Sequence, residues 1–274
     1  MTLWDFIEGT WHDYGDHTIL HVNTTQVDAF GLAFELMHSG NDPSSPDKPM
    51  KITNGFIRDD ARPQILESLS QTSSPWPALF VNDPNGRTVR VLAPIKALDQ
   101  HKFPEDWLDK SILSIASQYS VPNGSRMLFT HENIRYLGSA DQKAFIFSND
   151  EGDGKKYRIP LPTTRQCLEN NIKVEPNDHT GKALATAFCA SILRGTLWKS
   201  NLVPVPQEQR SEYYTTDPNP FEYAKIIHQY GMDNHAFCFG YDEVAGDAGT
   251  NRDVRDPDEM ILWIHDARGL GRSD

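Results

Sequence analysis

Residues 8–31 read Glu-Gly-Thr-Trp-His-Asp-Tyr-Gly-Asp-His-Thr-Ile-Leu-His-Val-Asn-Thr-Thr-Gln-Val-Asp-Ala-Phe-Gly. The second half of this stretch, residues 18–30, is rich in β-branched and aromatic types, which favours a strand. Residues 3–12 have the composition of a second, shorter strand, and residues 13–16 between them have the composition of a turn. The stretch therefore predicts a β-hairpin, and the rest of the chain is interpreted around it.

The predicted hairpin carries two carboxylates on neighbouring strands, Glu8 and Asp28. Because side chains alternate between the faces of a strand, the residues that share a face can be grouped. These groups are Glu8, Thr10 and His12 on the first strand, and Thr24, Gln26, Asp28 and Phe30 on the second. If the two faces coincide, they supply the pair of carboxyl groups that cleaves a glycosidic bond. On the pattern alone, charges on a solvated strand explain the two carboxylates better, and both interpretations stay open.

Four segments that follow one another along the chain resemble the β-1,3-glucanases of glycoside hydrolase family 64. Residues 3–11 and 22–32 resemble the family's Glu motif and its Asp motif. Residues 189–197 resemble its Ala-Leu-Asn-Arg-Gly-Thr-Leu helix end, and residues 236–244 resemble its Ala-Tyr-Gly-Phe-Pro-Tyr-Asp-Asp-Val strand. Since the matches span nearly the whole chain, the sequence is identified as a relative of this family, which belongs to the thaumatin-like superfamily.

The resemblance implies a β-rich (α+β) fold, in which a thaumatin-like barrel or sandwich body carries an inserted mixed α/β domain with a wide groove between the two. The Pro- and Ser-rich run at 39–49 and the Val-Pro-Val-Pro run at 203–206 mark domain boundaries. We therefore expect residues 1–41 and 201–274 to form the β-rich body and residues 42–200 to form the mixed domain.

Apolar spacing and turn composition predict the remaining elements. Helices are expected at 64–69, 104–119, 164–169, 181–193 and 221–228, with the fourth one ending at Gly195. Strands are expected at 78–81, 88–92, 126–130, 143–148, 156–159, 235–241 and 260–265.

The resemblance also implies the chemistry. Glu8 is then the general acid and Asp28 the general base of an endo-acting β-1,3-glucan hydrolase that inverts the anomeric configuration. Inversion requires roughly 6.5–9.5 Å between the two carboxyl groups, so that a water molecule fits. The implied substrate-binding residues are Thr10, Trp11, His12, Tyr14, Thr25, Arg194 and Asp242. Each has a structural alternative: hydroxyl groups bonded to strand neighbours, aromatic rings packed in the core, a surface ion pair for the arginine and a loop cap for the last aspartate.

The chain departs from the family pattern at Gly9, His12 and Ala33, where the family has an aromatic residue, Asn and Pro. It also begins at the Glu motif, whereas family members carry further β-strands before it. We therefore expect this chain to lack the family's N-terminal strands. The alternative function is a non-catalytic thaumatin-like module that binds β-1,3-glucan.

Composition excludes several partners. The 274 residues carry a formal net charge of −12. Binding to nucleic acid or to an anionic membrane requires clustered Lys and Arg, so neither partner is expected. No apolar run approaches the ~20 residues of a spanning helix, and the first residues lack the basic and apolar regions of a signal peptide. Secretion is expected from the family resemblance alone, and the oligomeric state stays open.

No metal or other cofactor is expected. The His and Asp residues of the hairpin lack the ligand spacing of zinc sites, and neither a Gly-rich phosphate loop nor a serine-hydrolase elbow occurs. The chain has three cysteines. Cys167 and Cys189 could pair or stay free, and Cys238 is expected to be a buried thiol.

Overall fold

The computed structural model describes residues 5–121, 125–149, 154–214, 220–244 and 252–265. Its contacts divide the chain into two compact units. The first unit comprises Met1–Lys102, Glu222–Cys238 and Ala248–Asp274, and the second comprises Phe103–Phe221 and Phe239–Asp247. No helix of the described residues is long and apolar enough to cross a membrane.

The first unit contains a five-stranded antiparallel sheet. Its strands are β1 (Ile7–Asp13), β2 (Thr18–Thr24), β4 (Ala33–Asp42), β5 (Ser45–Gly55) and β13 (Arg252–His265). They lie side by side in the order β1-β2-β13-β4-β5. The predicted hairpin is confirmed: β1 and β2 pair in register, with Glu8 opposite Asn23. The turn forms because the Asp13 side chain accepts the Gly15 amide, and Gly15 adopts φ +87°, which suits a residue without a side chain.

The predicted single strand over 18–30 is broken in the structure. Strand β2 ends at Thr24, a bend follows, and β3 (Ala29–Phe30) joins a second sheet with β7 (Thr88–Leu92) and β6 (Phe80–Asn82). The bend forms because the backbone of Gln26 bonds to Phe237 and Tyr223 in place of a strand neighbour. Asp28 therefore lies in a loop, and the expectation that it sits on the strand next to Glu8 is wrong.

The Pro- and Ser-rich run at 39–49 is also not a loop or a boundary. It forms most of the hairpin between β4 and β5, whose backbone groups pair from Glu35–Gly55 to Asp42–Ser45. Proline is tolerated because β5 is an edge strand, where a missing amide donor costs little. The two units divide after Lys102, Phe221, Cys238 and Asp247. The β-rich body at 1–41 and 201–274 and the mixed domain at 42–200 stay predictions.

Among its described residues, the first unit also contains three α-helices: α1 (Ala61–Ser70), α2 (Pro94–Asp99) and α6 (Glu222–Tyr230). The helices predicted at 64–69 and 221–228 are thereby confirmed. Helix α1 packs on α6, where its Ser68 hydroxyl lies 3.3 Å from the Tyr230 hydroxyl. Ile65 and Leu69 of α1 are buried, as apolar residues at helical spacing should be.

The part of the second unit that the structure describes contains a five-stranded sheet, in the order β11-β10-β9-β8-β12, and three α-helices. The strands are β8 (Met127–His131), β9 (Ile134–Ala140), β10 (Ala144–Asn149), β11 (Lys156–Pro160) and β12 (Leu202–Val203), and the helices are α3 (Asp109–Gln118), α4 (Thr164–Leu168) and α5 (His179–Leu193). Helix α5 is buried along most of its length, and its Phe188 ring contacts the rings of Phe145 and Phe147 on β10. Gly195 follows it at φ +67°, the left-handed conformation expected of a glycine after a helix.

The strands predicted at 126–130, 143–148 and 156–159 and the helices at 164–169 and 181–193 are confirmed within two residues. Strand β9 was not predicted, although it pairs with both β8 and β10. The expected strand at 235–241 is wrong, because residues 235–238 have no regular secondary structure and a turn follows. Cys167, Cys189 and Cys238 are all buried, and within the described residues none of them forms a disulfide bond.

Candidate active site

Glu8 lies on β1 with its side chain exposed. Across the hairpin it faces Asn23, while Thr10 faces His21 and His12 faces Ile19. Directly opposed residues of an antiparallel pair lie on the same face, so the predicted alignment of Glu8, Thr10 and His12 is confirmed. These three side chains form an open polar row with one carboxylate, one hydroxyl and one imidazole.

Two aromatic rings of the hairpin face solvent. Trp11 is 58% exposed and Tyr14 is 60% exposed, so neither is packed in the core. The Tyr14 ring stacks on His17 with the ring centres 4.9 Å apart. Exposed flat rings are suited to stacking on sugar rings. Their contact with substrate stays a prediction.

Asp28 lies in the bend between β2 and β3. Its backbone carbonyl accepts the Ala93 amide at 3.0 Å, which ties the bend to the start of α2. Its carboxylate lies 3.1 Å from the Nζ of Lys96 on α2. The two side chains are 41% and 44% exposed, so this ion pair is open to solvent. Lys96 was not predicted, because nothing in its local sequence connects it with a residue so far away.

The amino-terminal side of the Asp28 loop is anchored at Gln26. Its amide donates to the Phe237 carbonyl at 2.7 Å, and its Oε1 accepts the Phe237 amide at 3.3 Å. Its carbonyl accepts the Tyr223 hydroxyl at 2.6 Å. Burial, with the nearby charges of Asp5 and Asp28 among the smaller causes, raises the pKa of Tyr223 well above its usual value, so the hydroxyl stays a donor.

Thr25 is fully buried, and its Oγ1 accepts the amide of Val27 at 3.4 Å. The hydroxyl therefore helps to shape the bend before Asp28. The structure presents no surface of Thr25 to a ligand. We withdraw it from the predicted substrate-binding set and assign it to the support of the loop.

The carboxy-terminal side of the loop is anchored by Asp5. One carboxylate oxygen accepts the amides of Gly31 at 2.7 Å and Leu32 at 3.0 Å, and the other accepts the Phe6 amide at 3.0 Å. Burial nevertheless raises the pKa of Asp5 from 3.8 to about 6, because desolvation outweighs these bonds and the charge of Arg90. The sequence offered one overlooked signal, a carboxylate within the apolar run of residues 3–7.

A buried arginine holds the same segment from its other side. Arg62 of α1 donates to the carbonyls of Gly31 at 2.6 Å and Thr88 at 2.9 Å. Desolvation lowers the pKa of its guanidinium, which stays charged at any working pH. The loop that carries Asp28 thus lies between two anchored ends.

Arg194 and Asp242 lie in the second unit and form a buried ion pair. Their side chains are 1% and 0% exposed, and Nη2 of Arg194 lies 3.2 Å from Oδ1 of Asp242. The guanidinium also donates to the carbonyls of Asp242 and Val244, and it lies over the Tyr213 ring at 4.8 Å. Neither side chain presents an atom to a ligand, so we withdraw both from the substrate-binding set. The surface ion pair considered for Arg194 is likewise wrong, since the pair is buried.

One group of metal-ligand types occurs within the second unit. His131, Glu132 and His179 place one donor atom each within 4.8 Å of one another. The His179 Nε2 lies 3.7 Å from the Glu132 carboxylate, and both of those side chains are mostly exposed. The group lies in the other unit from Glu8 and Asp28, and the proposed chemistry does not use it.

The family model described as beta-1,3-glucanase, glycoside hydrolase family 64, matches residues 1–262. The chain belongs to this family. The match covers the Glu8 strand and the Asp28 loop together, and the predicted family is confirmed. Membership of the thaumatin-like superfamily and the lack of N-terminal strands stay predictions.

Two curated relatives of this family member are bacterial enzymes. The chain is 25% identical over 244 residues to a glucan endo-1,3-beta-glucosidase of Arthrobacter sp. (strain YCWD3) and 24% identical over 244 residues to one of Cellulosimicrobium cellulans. Each comparison covers 88% of this chain and 42% of the relative. The chain thus spans less than half the length of these relatives.

Solved structures share the fold. A laminaripentaose-producing beta-1,3-glucanase in complex with laminaritetraose superposes with a TM-score of 0.79 at 20% identity, over 95% of this chain and 67% of that one. A family 64 beta-1,3-glucanase domain from Clostridium beijerinckii superposes with a TM-score of 0.74 at 22% identity, over 96% of this chain and 64% of that one. At this identity the likeness concerns the fold.

Proposed function

We propose that this glycoside hydrolase family 64 member is secreted and cleaves β-1,3-glucan internally, with inversion of the anomeric configuration. Glu8 is the general acid and Asp28 the general base. The observation that carries the proposal is the family match over residues 1–262, which includes both carboxylates. The names of the relatives, glucan endo-1,3-beta-glucosidases, support the substrate and the internal cleavage.

In an inverting reaction, the acid protonates the glycosidic oxygen of the leaving sugar while the base removes a proton from water. The water then attacks the anomeric carbon from the opposite face of the ring. Glu8 suits the role of the general acid, because its carboxyl group lies on a regular strand, is exposed and can be reached by a polymer. Thr10 and His12 on the same face offer hydroxyl and imidazole groups to sugar hydroxyls.

Asp28 suits the role of the general base. A base must be held where it can reach the attacking water, and the Lys96 ammonium at 3.1 Å orients the Asp28 carboxylate. The loop around Asp28 is anchored at Gln26 and at Gly31, which limits how far the carboxylate can move. Positioning of this kind contributes to rate because a catalytic group must be held in the reacting geometry.

A second candidate is a non-catalytic module that binds β-1,3-glucan. It is favoured by the exposed rings of Trp11 and Tyr14, which suit sugar stacking whether or not a bond is cleaved. The two candidates separate in one assay of the purified protein with laminarin. Hydrolysis with internal cleavage gives a mixture of oligosaccharides and new reducing ends, whereas a module retains the polymer without new ends.

Proton NMR of the first product tests inversion. Cleavage of a β-linkage with inversion yields the α-anomer before mutarotation. A β-anomer as the first product would exclude the inverting assignment while leaving the glucanase activity in place. Binding of laminarin without any new reducing ends would replace the enzyme by the binding module.

A further inference from the structure

Asp5 connects the two segments that carry the proposed acid and base. In sequence it precedes Glu8 by three residues, and its carboxylate bonds to Gly31 and Leu32, which follow Asp28 by three and four residues. The bonds are 2.7 and 3.0 Å long and both end on one oxygen, Oδ2. This side chain therefore fastens the start of the Glu8 strand to the end of the Asp28 loop.

We infer that Asp5 is a positioning residue for the proposed catalytic pair, which holds the Asp28 loop at a fixed distance from the Glu8 strand through its bonds to Gly31 and Leu32. The inference rests on the proposed function. Asp5 itself is not expected to contact the glucan, since its carboxylate oxygens are occupied by backbone amides.

The geometry explains why this anchor matters. Two residues before Asp28, the Gln26 carbonyl is held by the Tyr223 hydroxyl. Three residues after Asp28, the Gly31 amide is held by the Asp5 carboxylate. Between these anchors Asp28 has little freedom, because only a few residues connect it to either one. Loss of the Gly31 anchor would release the carboxy-terminal side, and a displacement of about 1 Å in a catalytic group can reduce a rate by a factor of about 100.

Other contacts would hold part of the loop without Asp5. Arg62 keeps its bond to the Gly31 carbonyl, and β3 keeps its pairing with β7. We therefore expect a loss of kcat of roughly tenfold, smaller than for a fully released group. KM should change little, since the lost bonds are within the protein.

A conservative variant can separate the bonds of Asp5 from its charge. Asp5 is part-buried, and desolvation of its carboxyl group outweighs the three hydrogen bonds from backbone amides in setting its pKa. An asparagine amide oxygen accepts the same two amides without the charge. Asp5→Asn should therefore preserve the bonds to Gly31 and Leu32, whereas Asp5→Ala removes them. Both variants lose the bond from the Phe6 amide, so the comparison isolates the other two.

The experiment compares wild type, Asp5→Ala and Asp5→Asn by steady-state kinetics on laminarin and by amide hydrogen exchange. Leu69→Ala serves as the control for stability, because it removes buried apolar volume from α1 of the same unit without touching the loop. The Gln26 amide, bonded to the Phe237 carbonyl, serves as an internal exchange reference.

The expected result for Asp5→Ala is a kcat about tenfold lower with KM within about twofold, and Gly31 and Leu32 amides that exchange at least about tenfold faster. Asp5→Asn should keep kcat within about threefold and keep both amides protected. Leu69→Ala should lower the melting temperature without changing kcat at temperatures where the protein is folded.

Three results would overturn the inference: an unchanged kcat in Asp5→Ala, unchanged exchange of both amides, or a loss in Asp5→Asn equal to that in Asp5→Ala. A wild-type protein that does not hydrolyse laminarin would instead overturn the proposed function, and the catalytic role of Asp5 with it. The exchange measurement separates these cases, because it reports the anchor whether or not the protein is active.

Discussion

The ammonium group of Lys96 lies 3.1 Å from the carboxylate of Asp28, the proposed general base. The pair connects helix α2, which follows β7, with the loop between β2 and β3. These two segments are far apart in the sequence. An exposed ion pair contributes about 1 kcal/mol or less to stability, so we assign this pair the role of orienting the Asp28 carboxylate.

We expect Lys96→Met to lower kcat/KM on laminarin by about fivefold, because the Asp28 carboxylate loses the partner that orients it. Lys96→Arg should stay within about twofold of wild type. The matched control is Lys225→Met, which removes a second Lys–carboxylate pair of 3.1 Å, that with Glu222. An equal loss in Lys225→Met, or no loss in Lys96→Met, would contradict the role of Lys96.

The raised pKa of Asp5 predicts how stability depends on pH. Its pKa is 3.8 in the unfolded chain and about 6 in the folded protein, so the folded state binds this proton more tightly. The stabilisation from the protonated group is therefore complete below about pH 4 and is lost as the pH rises to about 6. A rise of this size corresponds to at most about 3 kcal/mol.

Asp5→Asn should remove that dependence. The difference in free energy of unfolding between the variant and wild type should shift in favour of the variant from about pH 4 to about pH 8, because the asparagine amide cannot ionise. Urea unfolding at the two pH values measures the difference. If the free energy of unfolding of the variant differs from that of wild type by the same amount at both pH values, Asp5 does not ionise in this range. A larger gain at about pH 4 than at about pH 8 would contradict the direction of the predicted effect.

The Arg194–Asp242 pair predicts a large effect on stability in the second unit. Asp242→Ala removes the carboxylate that lies 3.2 Å from the buried Arg194 guanidinium, and breaking a buried pair costs roughly 3–5 kcal/mol. The expected observation is a markedly lower melting temperature by circular dichroism. As a control, Lys155→Met removes the exposed pair with Asp178 in the same unit and should change stability by about 1 kcal/mol or less. Equal effects in the two variants would contradict the distinction between buried and exposed pairs.

Local features of the fold were predictable from the sequence. The turn at residues 13–16 and the alternation of β1 give the hairpin register, and Gly195 marks the end of α5. These features depend on residues close together in the chain, where composition and spacing carry the information. The same reasoning placed Glu8 on an exposed strand face with Thr10.

The loop that carries Asp28 was not predictable in the same way. Strand propensity favours continuation beyond Thr24, but Gln26 bonds to residues 197 and 211 positions away, Tyr223 and Phe237, and those bonds bend the chain. Tertiary contacts of this kind override local preference. The edge position of β5, which permits proline, also depends on pairing that the Pro- and Ser-rich sequence does not reveal.

The most direct test of the proposed mechanism is the activity of Glu8→Gln and Asp28→Asn on laminarin. Each substitution removes a proton-transferring carboxyl group while nearly preserving its shape, so we expect kcat/KM to fall at least about 100-fold in each variant. Glu67→Gln on α1 and Asp47→Asn on β5 are matched controls at exposed positions and should retain wild-type activity. Circular dichroism confirms folding. A Glu8→Gln or Asp28→Asn protein that hydrolyses laminarin at the wild-type rate would contradict its assignment as acid or base.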